Sequence, residues 1–307
     1  MIWPALGLAG LALLPGLREA LRTPARHLQK QAPGQLARLS RGKTHFQWSG
    51  PKDGPVAVLV HGLTTPSFVW TLLTPHLTAQ GYRVLSYDLY GRGYSDAPRG
   101  LQTPDFFCAQ LEDLLAHETV ADGFALIGYS MGGAIATAFA ARHPKRLQQL
   151  ILLAPAGMGH DLGPLAKWAA DWPIVGDWAF HMMFPRSHAA YARGERADAI
   201  EDLPRLLKNE LHRRGYTRSV LSSLRGTIRQ TMEAQHRAIA RTDLPVTAIW
   251  GGQDPIIPLR AMGQLTQWNR AVRHHVIEDA DHGLPFTHPA QVAGIAARPG
   301  ASSFTGR

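Results

Sequence analysis

The chain has 307 residues, 45% apolar and 18% charged, with 8 Trp, 10 Phe and 7 Tyr, enough for a large core and too apolar for a disordered chain. Its single cysteine, Cys108, excludes an internal disulfide or a cysteine-based zinc cluster and fits a reducing compartment. The net charge of +9 is concentrated: residues 1–44 carry seven Arg/Lys against one acid, whereas residues 45–155 come to −1, so the basic, aromatic-studded face that nucleic-acid binding requires is missing.

Residues 1–44 read as an apolar and basic N-terminal arm. Met1 to Leu17 is uncharged, and Arg18, Arg22, Arg26 and Lys30 follow at four-residue spacing. As a helix this run rises about 25 Å, short of the ~30 Å hydrocarbon core, and Pro4 and Pro15 weaken it further. A secretory signal carries its charge before the apolar run. Here the charge comes after, which by the positive-inside rule leaves the rest of the chain in the cytoplasm. Two readings stay open: residues 1–30 touch the inner face of a membrane, or the run packs as an apolar helix on the folded domain or its partner.

From Phe46 onward, strand-like and helix-like segments alternate. The expected strands are Pro55 to Val60, Tyr82 to Tyr87, Phe124 to Gly128, Leu150 to Leu153, Val246 to Trp250 and His275 to Ile277. The expected helices between and after them are Ser67 to Ala79, Thr103 to His117, Met131 to Arg142, Leu259 to Trp268 and Pro289 to Ala297. Short apolar strands alternating with helices predict an α/β fold with a mostly parallel, doubly wound sheet covered on both faces. The main domain is then residues 45–155 and 244–297. The tail from Arg298 reads as frayed.

Residues 156–243 break the alternation and read as a helical cap inserted over the C-terminal edge of the sheet, where open α/β sheets place their ligands. The first half is rich in Trp, Phe and Met. Trp178, Met183 and Phe184 are candidates for lining an apolar substrate tunnel, or else form a small core of the cap itself. The second half, Arg205 to Arg241, holds nine Arg/Lys against Glu210 and Glu233, either a dock for an acidic carrier or a solvated helical face.

The chemistry centres on Gly128-Tyr129-Ser130-Met131-Gly132, a G-x-S-x-G motif where strand gives way to helix. Small residues on both sides permit a sharp turn that lifts the serine clear of the sheet. A serine hydroxyl is a weak nucleophile at neutral pH and needs a base and a group to orient it. Asp254, in Trp250-Gly-Gly-Gln-Asp254-Pro, follows one expected strand, and His282, in Asp279-Ala-Asp-His282-Gly, follows the next. Taken singly, Asp254 is a turn former before Pro255 and His282 a loop histidine; with Ser130, all three fall after expected strands, which makes them candidates for orienting group and base. Oxyanion donors are expected from the amides of Met131 and of Leu63, in His61-Gly62-Leu63-Thr64. The histidines show no ligand spacing such as H-x-x-x-H with a carboxylate, so neither metal nor organic cofactor is implied.

These features together resemble the α/β-hydrolase superfamily over about residues 45–295, in its capped serine esterase and lipase-like branch. The likeness rests on His61-Gly62, the Asp88-Leu-Tyr-Gly-Arg-Gly-Tyr-Ser95 loop, the Gly128 to Gly133 elbow, Asp254 and His282. It implies the triad order Ser130, Asp254, His282, an acyl-enzyme and a small-molecule ester substrate, and a structural role for Asp88 and Ser95. Ser130 excludes the haloalkane dehalogenase and epoxide hydrolase members, which have Asp there. The C–C bond hydrolases of aromatic degradation resemble the chain in size, but typically carry Asn before the nucleophile and a glycine/proline-rich oxyanion loop; here stand Tyr129 and His-Gly-Leu-Thr. Carboxylesterases, perhydrolase-like enzymes and pimeloyl-carrier-protein methyl esterases fit better, and a ligand-binding relative without catalysis is the reading outside enzymes.

Overall fold

Strands buried on both faces need long apolar runs, and the helices between them must cover those faces. The computed structural model describes residues 2–159, 163–191 and 202–297. Helices α1 (Ile2–Ala20) and α2 (Ala25–Leu28) precede a hairpin of β1 (Gln35–Leu39) and β2 (Gly42–Ser49). Then come β3 (Val56–Val60), α3 (Leu73–Ala79), β4 (Arg83–Tyr87), α4 (Pro104–His117), β5 (Phe124–Tyr129), α5 (Met131–Arg142) and β6 (Leu147–Leu153). The cap contributes α6 (Pro164–Asp171), α7 (Val175–Tyr191), α8 (Leu203–His212), α9 (Tyr216–Ser223) and α10 (Glu233–Ile239). The chain returns through β7 (Val246–Gly251), α11 (Arg260–Trp268), β8 (Arg273–Ile277), α12 (Leu284–Thr287) and α13 (Pro289–Ala296).

The eight strands lie in the order β1-β2-β4-β3-β5-β6-β7-β8. Pairs β1–β2 and β2–β4 are antiparallel and the others parallel, the mostly parallel sheet that the alternation implied. Central β5 is buried at all six positions, and α5, rich in Ala and Gly, lies close against it. The strands expected from Pro55 onward are all present. The helix expected over Ser67 to Ala79 is instead a 3₁₀ turn, Ser67–Trp70, followed by α3. Pro75 has no amide proton for the bond that would join the two.

The hairpin is the main departure. The sheet begins at Gln35, so the boundary expected at residue 44 falls inside β2, and residues 35–44 are part of the sheet rather than of an arm. No alternation announces β2, because its buried residues include polar Thr44 and His45. Their partners are remote: Gln110 Nε2 donates to Thr44 Oγ1 at 2.9 Å, and His45 Nδ1 lies 2.7 Å from Asp88 Oδ2.

Asp88, past the end of β4, anchors the loop that follows. Its Oδ1 accepts from the Ser67 amide at 2.8 Å and its Oδ2 from the Tyr94 amide at 2.9 Å. Burial opposes ionisation, but the hydrogen bond and charge of His45, with help from His61 and Tyr94, bring the carboxyl down to about 2. A carboxylate depressed in this way stabilises the fold above its ordinary value of 3.8, and that stability is lost as pH falls toward about 2. Asp88→Asn should therefore cost about 3 kcal/mol near neutrality and flatten the acid limb of a Tm-against-pH curve between pH ~4 and ~2. An acid limb unchanged in the variant would detach the pair from acid unfolding.

Candidate active site

The elbow is a strained turn with an identifiable cause. Ser130 adopts φ 53° and ψ −119°, a conformation that costs a non-glycine residue about 1–3 kcal/mol. Three backbone bonds hold it there: the Ser130 amide donates to the Leu153 carbonyl, and the amides of Gly133 and Ala156 donate to the Ser130 carbonyl, each at 2.9 Å. The flanking glycines allow strand and helix to close up. A Cβ on Gly132 would stand 2.0 Å from the Val60 carbonyl oxygen, and one on Gly128 would stand 2.5 Å from the Gly132 carbonyl oxygen. Both obstacles are backbone, so Gly132→Ala should destabilise the fold by about 3 kcal/mol or more, visible as a lowered urea midpoint. A midpoint unchanged by the substitution would mean the turn is looser than this.

The loops after β7 and β8 bring Asp254 and His282 to this serine. His282 Nε2 lies 3.0 Å from Ser130 Oγ, and His282 Nδ1 lies 2.7 Å from Asp254 Oδ2. Asp254 Oδ1 accepts from the amides of Ile256 and Ile257 at 2.7 and 2.9 Å, so the turn role and the partnership with histidine coexist, one on each oxygen. Asp254 and His282 are buried, while Ser130 is partly open. Tyr129, absent from the expected site, adds a brace: its hydroxyl donates to the His282 carbonyl at 2.8 Å. The arrangement can pass a proton from serine to imidazole and hold the resulting imidazolium against a carboxylate.

The loop His61 to Thr64 passes directly over the serine, since a Cβ on Gly62 would lie 3.4 Å from Ser130 Cβ. Its carbonyls are clamped. The Leu89 amide donates to His61 Nε2 at 2.8 Å, so the ring proton sits on Nδ1 and is donated to the Gly62 carbonyl at 2.8 Å. Burial holds this imidazole down at about 4, hence neutral at physiological pH. Arg92 Nε donates to the Leu63 carbonyl at 3.0 Å, and the Tyr216 hydroxyl of α9 donates to the Thr64 carbonyl at 3.0 Å. Met131 is the first residue of α5, so its amide has no partner within the helix.

The cap residues fare differently from one another. Trp178 Nε1 donates to the Leu11 carbonyl at 2.8 Å, so this indole is set against α1. Met183 is 51% exposed, at odds with a place inside a tunnel. Phe184 faces the cap interior, stacked on Phe180 and His188 and tilted against Tyr216. The basic run is largely engaged: Arg205, Arg225, Arg229 and Arg237 pair with Asp202, Asp177, Asp171 and Glu233, and Arg213 is buried. The central part of the cap, residues 192–201, lies outside the described residues.

A serine lifted on a strand–helix elbow, with acid and histidine on the loops after two later strands, belongs to a particular architecture. The chain is a member of the alpha/beta hydrolase fold family, whose sequence model matches residues 55–289. Among curated relatives, a pimeloyl-[acyl-carrier protein] methyl ester esterase of Chromobacterium violaceum is 31% identical over 215 residues, 68% of this chain and 80% of that one. An uncharacterized protein of Mycobacterium tuberculosis is 27% identical over 221 residues, and the match spans 68% of this chain and 64% of its relative. Among solved structures, the enol-lactonase from Burkholderia xenovorans LB400 superposes with a TM-score of 0.73 at 19% identity, over 85% of this chain and 98% of that one.

Proposed function

We propose that the protein is a serine hydrolase of carboxylic esters with apolar acyl chains. The observation that carries this reading is the unbroken line of hydrogen-bonding atoms from Ser130 Oγ through the His282 ring to Asp254 Oδ2. In the proposed cycle His282 takes the Ser130 proton as Oγ attacks the ester carbonyl, and the Met131 and Leu63 amides receive the oxyanion. His282 then returns the proton to the departing alcohol, leaving an acyl-enzyme. Water, deprotonated by His282, attacks the acyl carbon; the acid leaves and the serine regains its proton. Asp254 holds Nδ1–H throughout, and no step needs a cofactor.

The likeness to a methyl ester esterase supports an ester substrate. The pairing of the cap arginines favours a free ester over a carrier-bound one, because paired or buried cations present little field to an acidic carrier. The order of apolar run and basic residues in the arm favours a cytoplasmic protein whose arm meets the inner face of the membrane. The test is turnover of p-nitrophenyl esters from acetate to octanoate, run beside a vinylogous 1,5-diketone. Each buried methylene contributes about 0.8 kcal/mol, close to fourfold when it is expressed in the transition state, so octanoate should exceed acetate by tens-fold in kcat/KM. A flat profile would remove the apolar acyl site. Turnover of the diketone alone would replace ester by C–C hydrolysis, and absence of an acyl-enzyme burst would point to a binding protein.

A further inference from the structure

A helix packed on a folded domain ordinarily turns its apolar side inward; in α1 from Leu11 onward, most of the leucines do not. Polar atoms fasten it to the cap: besides the Trp178 bond to the Leu11 carbonyl, Arg22 Nη1 donates to Thr217 Oγ1 at 2.7 Å and Glu19 accepts from the Gly215 amide. Just beyond it, the Thr23 amide donates to the His212 carbonyl at 2.9 Å. Leu13 and Leu17, and Leu21 just past the helix end, stay outside, exposed by 70, 60 and 79%.

The neighbouring end of the cap is apolar as well. Ile174 lies one helical turn before Trp178 and is 81% exposed, between exposed Trp172 and Val175. It also holds φ 69°, which a β-branched residue avoids, so neither backbone preference nor burial within this chain accounts for an isoleucine there. Of the twelve exposed large apolar side chains among the described residues, nine lie in the arm as far as Leu21 or in the cap between Trp168 and Met183. A concentration of this kind marks a partner or membrane surface.

Charge selects the partner. The acids on this face are occupied, Glu19 by Arg22, Asp177 by Arg225 and Asp171 by Arg229. Exposed Arg18 and Arg186 flank it, and exposed Arg26 and Lys30 follow the helix. Among the described residues, no helix is long and apolar enough to cross a membrane. We propose that α1 and the α6–α7 end of the cap form one face that lies on an anionic lipid surface, its leucines and Ile174 among the headgroups and its arginines on acidic phosphates. The contact is thus shared by arm and cap and is not the arm's alone. The inner side of α7 carries Phe184 against Tyr216, which holds the loop over Ser130, so this face is the outside of the roof over the site.

The experiment is cosedimentation of the full chain with vesicles of phosphatidylcholine, with and without phosphatidylglycerol. Binding should be stronger on the anionic vesicles by tens-fold and should fall with salt. Ile174→Asn suits the turn's backbone and should leave folding intact; combined with Leu17→Gln it should weaken binding about tenfold or more. Arg18→Gln and Arg186→Gln, at exposed sites, should each weaken it about fivefold on anionic vesicles alone. Hydrolysis of a soluble p-nitrophenyl ester should be unchanged by all four, so a loss of lipid binding is read independently of catalysis. Equal sedimentation with both vesicle types, or binding indifferent to Ile174 and Leu17, would overturn the proposal. So would a dimer that these substitutions dissociate in a chain that ignores vesicles, since the face would then belong to a second copy.

Discussion

Ser130→Ala should lower kcat for ester hydrolysis by about a millionfold and abolish labelling by fluorophosphonates, with Tm nearly unchanged. The expectation follows from the unit that Ser130, His282 and Asp254 form, at 3.0 and 2.7 Å. On the proposed mechanism loss of Ser130 disables the whole unit, whereas His282→Ala and Ser130→Ala together should cost little more than either alone. Asp254→Asn should cost less, about 10⁴-fold, because the oxyanion donors and bound geometry persist while the imidazole tautomer is wrong. The variant is also informative structurally, since Asn keeps an oxygen for the Ile256 and Ile257 amides. Substantial turnover by Ser130→Ala would remove the serine mechanism outright.

Arg92→Met should lower kcat by about a hundredfold, the loss typical of one displaced oxyanion donor, and destabilise the fold by about 3 kcal/mol. Arg92 is fully buried, and burial lowers its guanidinium to about 10, still charged at neutral pH. It is the hub between the loop over the serine and the cap. Besides the Leu63 carbonyl it donates to the Tyr90 carbonyl at 3.0 Å, Gln102 Oε1 at 2.6 Å and Ser223 Oγ at 2.8 Å. A methionine would fill the space and leave the Leu63 carbonyl buried without this donor, while Gln102 Oε1 keeps the Ser223 hydroxyl at 2.6 Å. The Leu63–Thr64 peptide would lose its clamp, leaving the Gly62–Leu63 peptide that carries the proposed donor amide held by His61 alone, so kcat should fall more than KM changes. Arg92→Lys keeps the charge without the planar fork and should fall between wild type and methionine. A variant of lowered Tm whose kcat stays at the wild-type value would reduce Arg92 to a structural brace.

Much of the site is legible in the linear order of residues because its determinants are local. A turn as tight as the one at Ser130 admits only glycine where backbone stands 2.0 to 2.5 Å from a would-be Cβ, and those glycines mark the motif in the sequence. The parallel strands are legible for an equally local reason: buried on both faces, Val56–Val60 and Phe124–Tyr129 read as continuous apolar runs. Asp254 follows one such run, Val246–Gly251, and His282 follows the more polar Arg273–Ile277; the sheet's pairing carries both to the serine.

What depended on pairing across long separations could be settled only by the tertiary structure. Strand β2 is hidden because Thr44 and His45 are buried polar residues, tolerable only beside Gln110 and Asp88, and nothing near them in the chain announces those partners. Nothing near Arg92 in its Gly-Arg-Gly loop announces its acceptors, which include Ser223 on a cap helix. The basic stretch of the cap reads as a carrier dock or a solvated face, and only the fold shows Arg225 and Arg229 paired with Asp177 and Asp171. The apolar run of the arm is compatible with a membrane or with packing, and the structure shows polar atoms fastening its end to the cap while Leu13 and Leu17 face outward. Hydrophobic periodicity and backbone sterics act between near neighbours and so are written in sequence order. Burial of a polar group is favourable only when a specific partner arrives, and that arrival is decided by the fold.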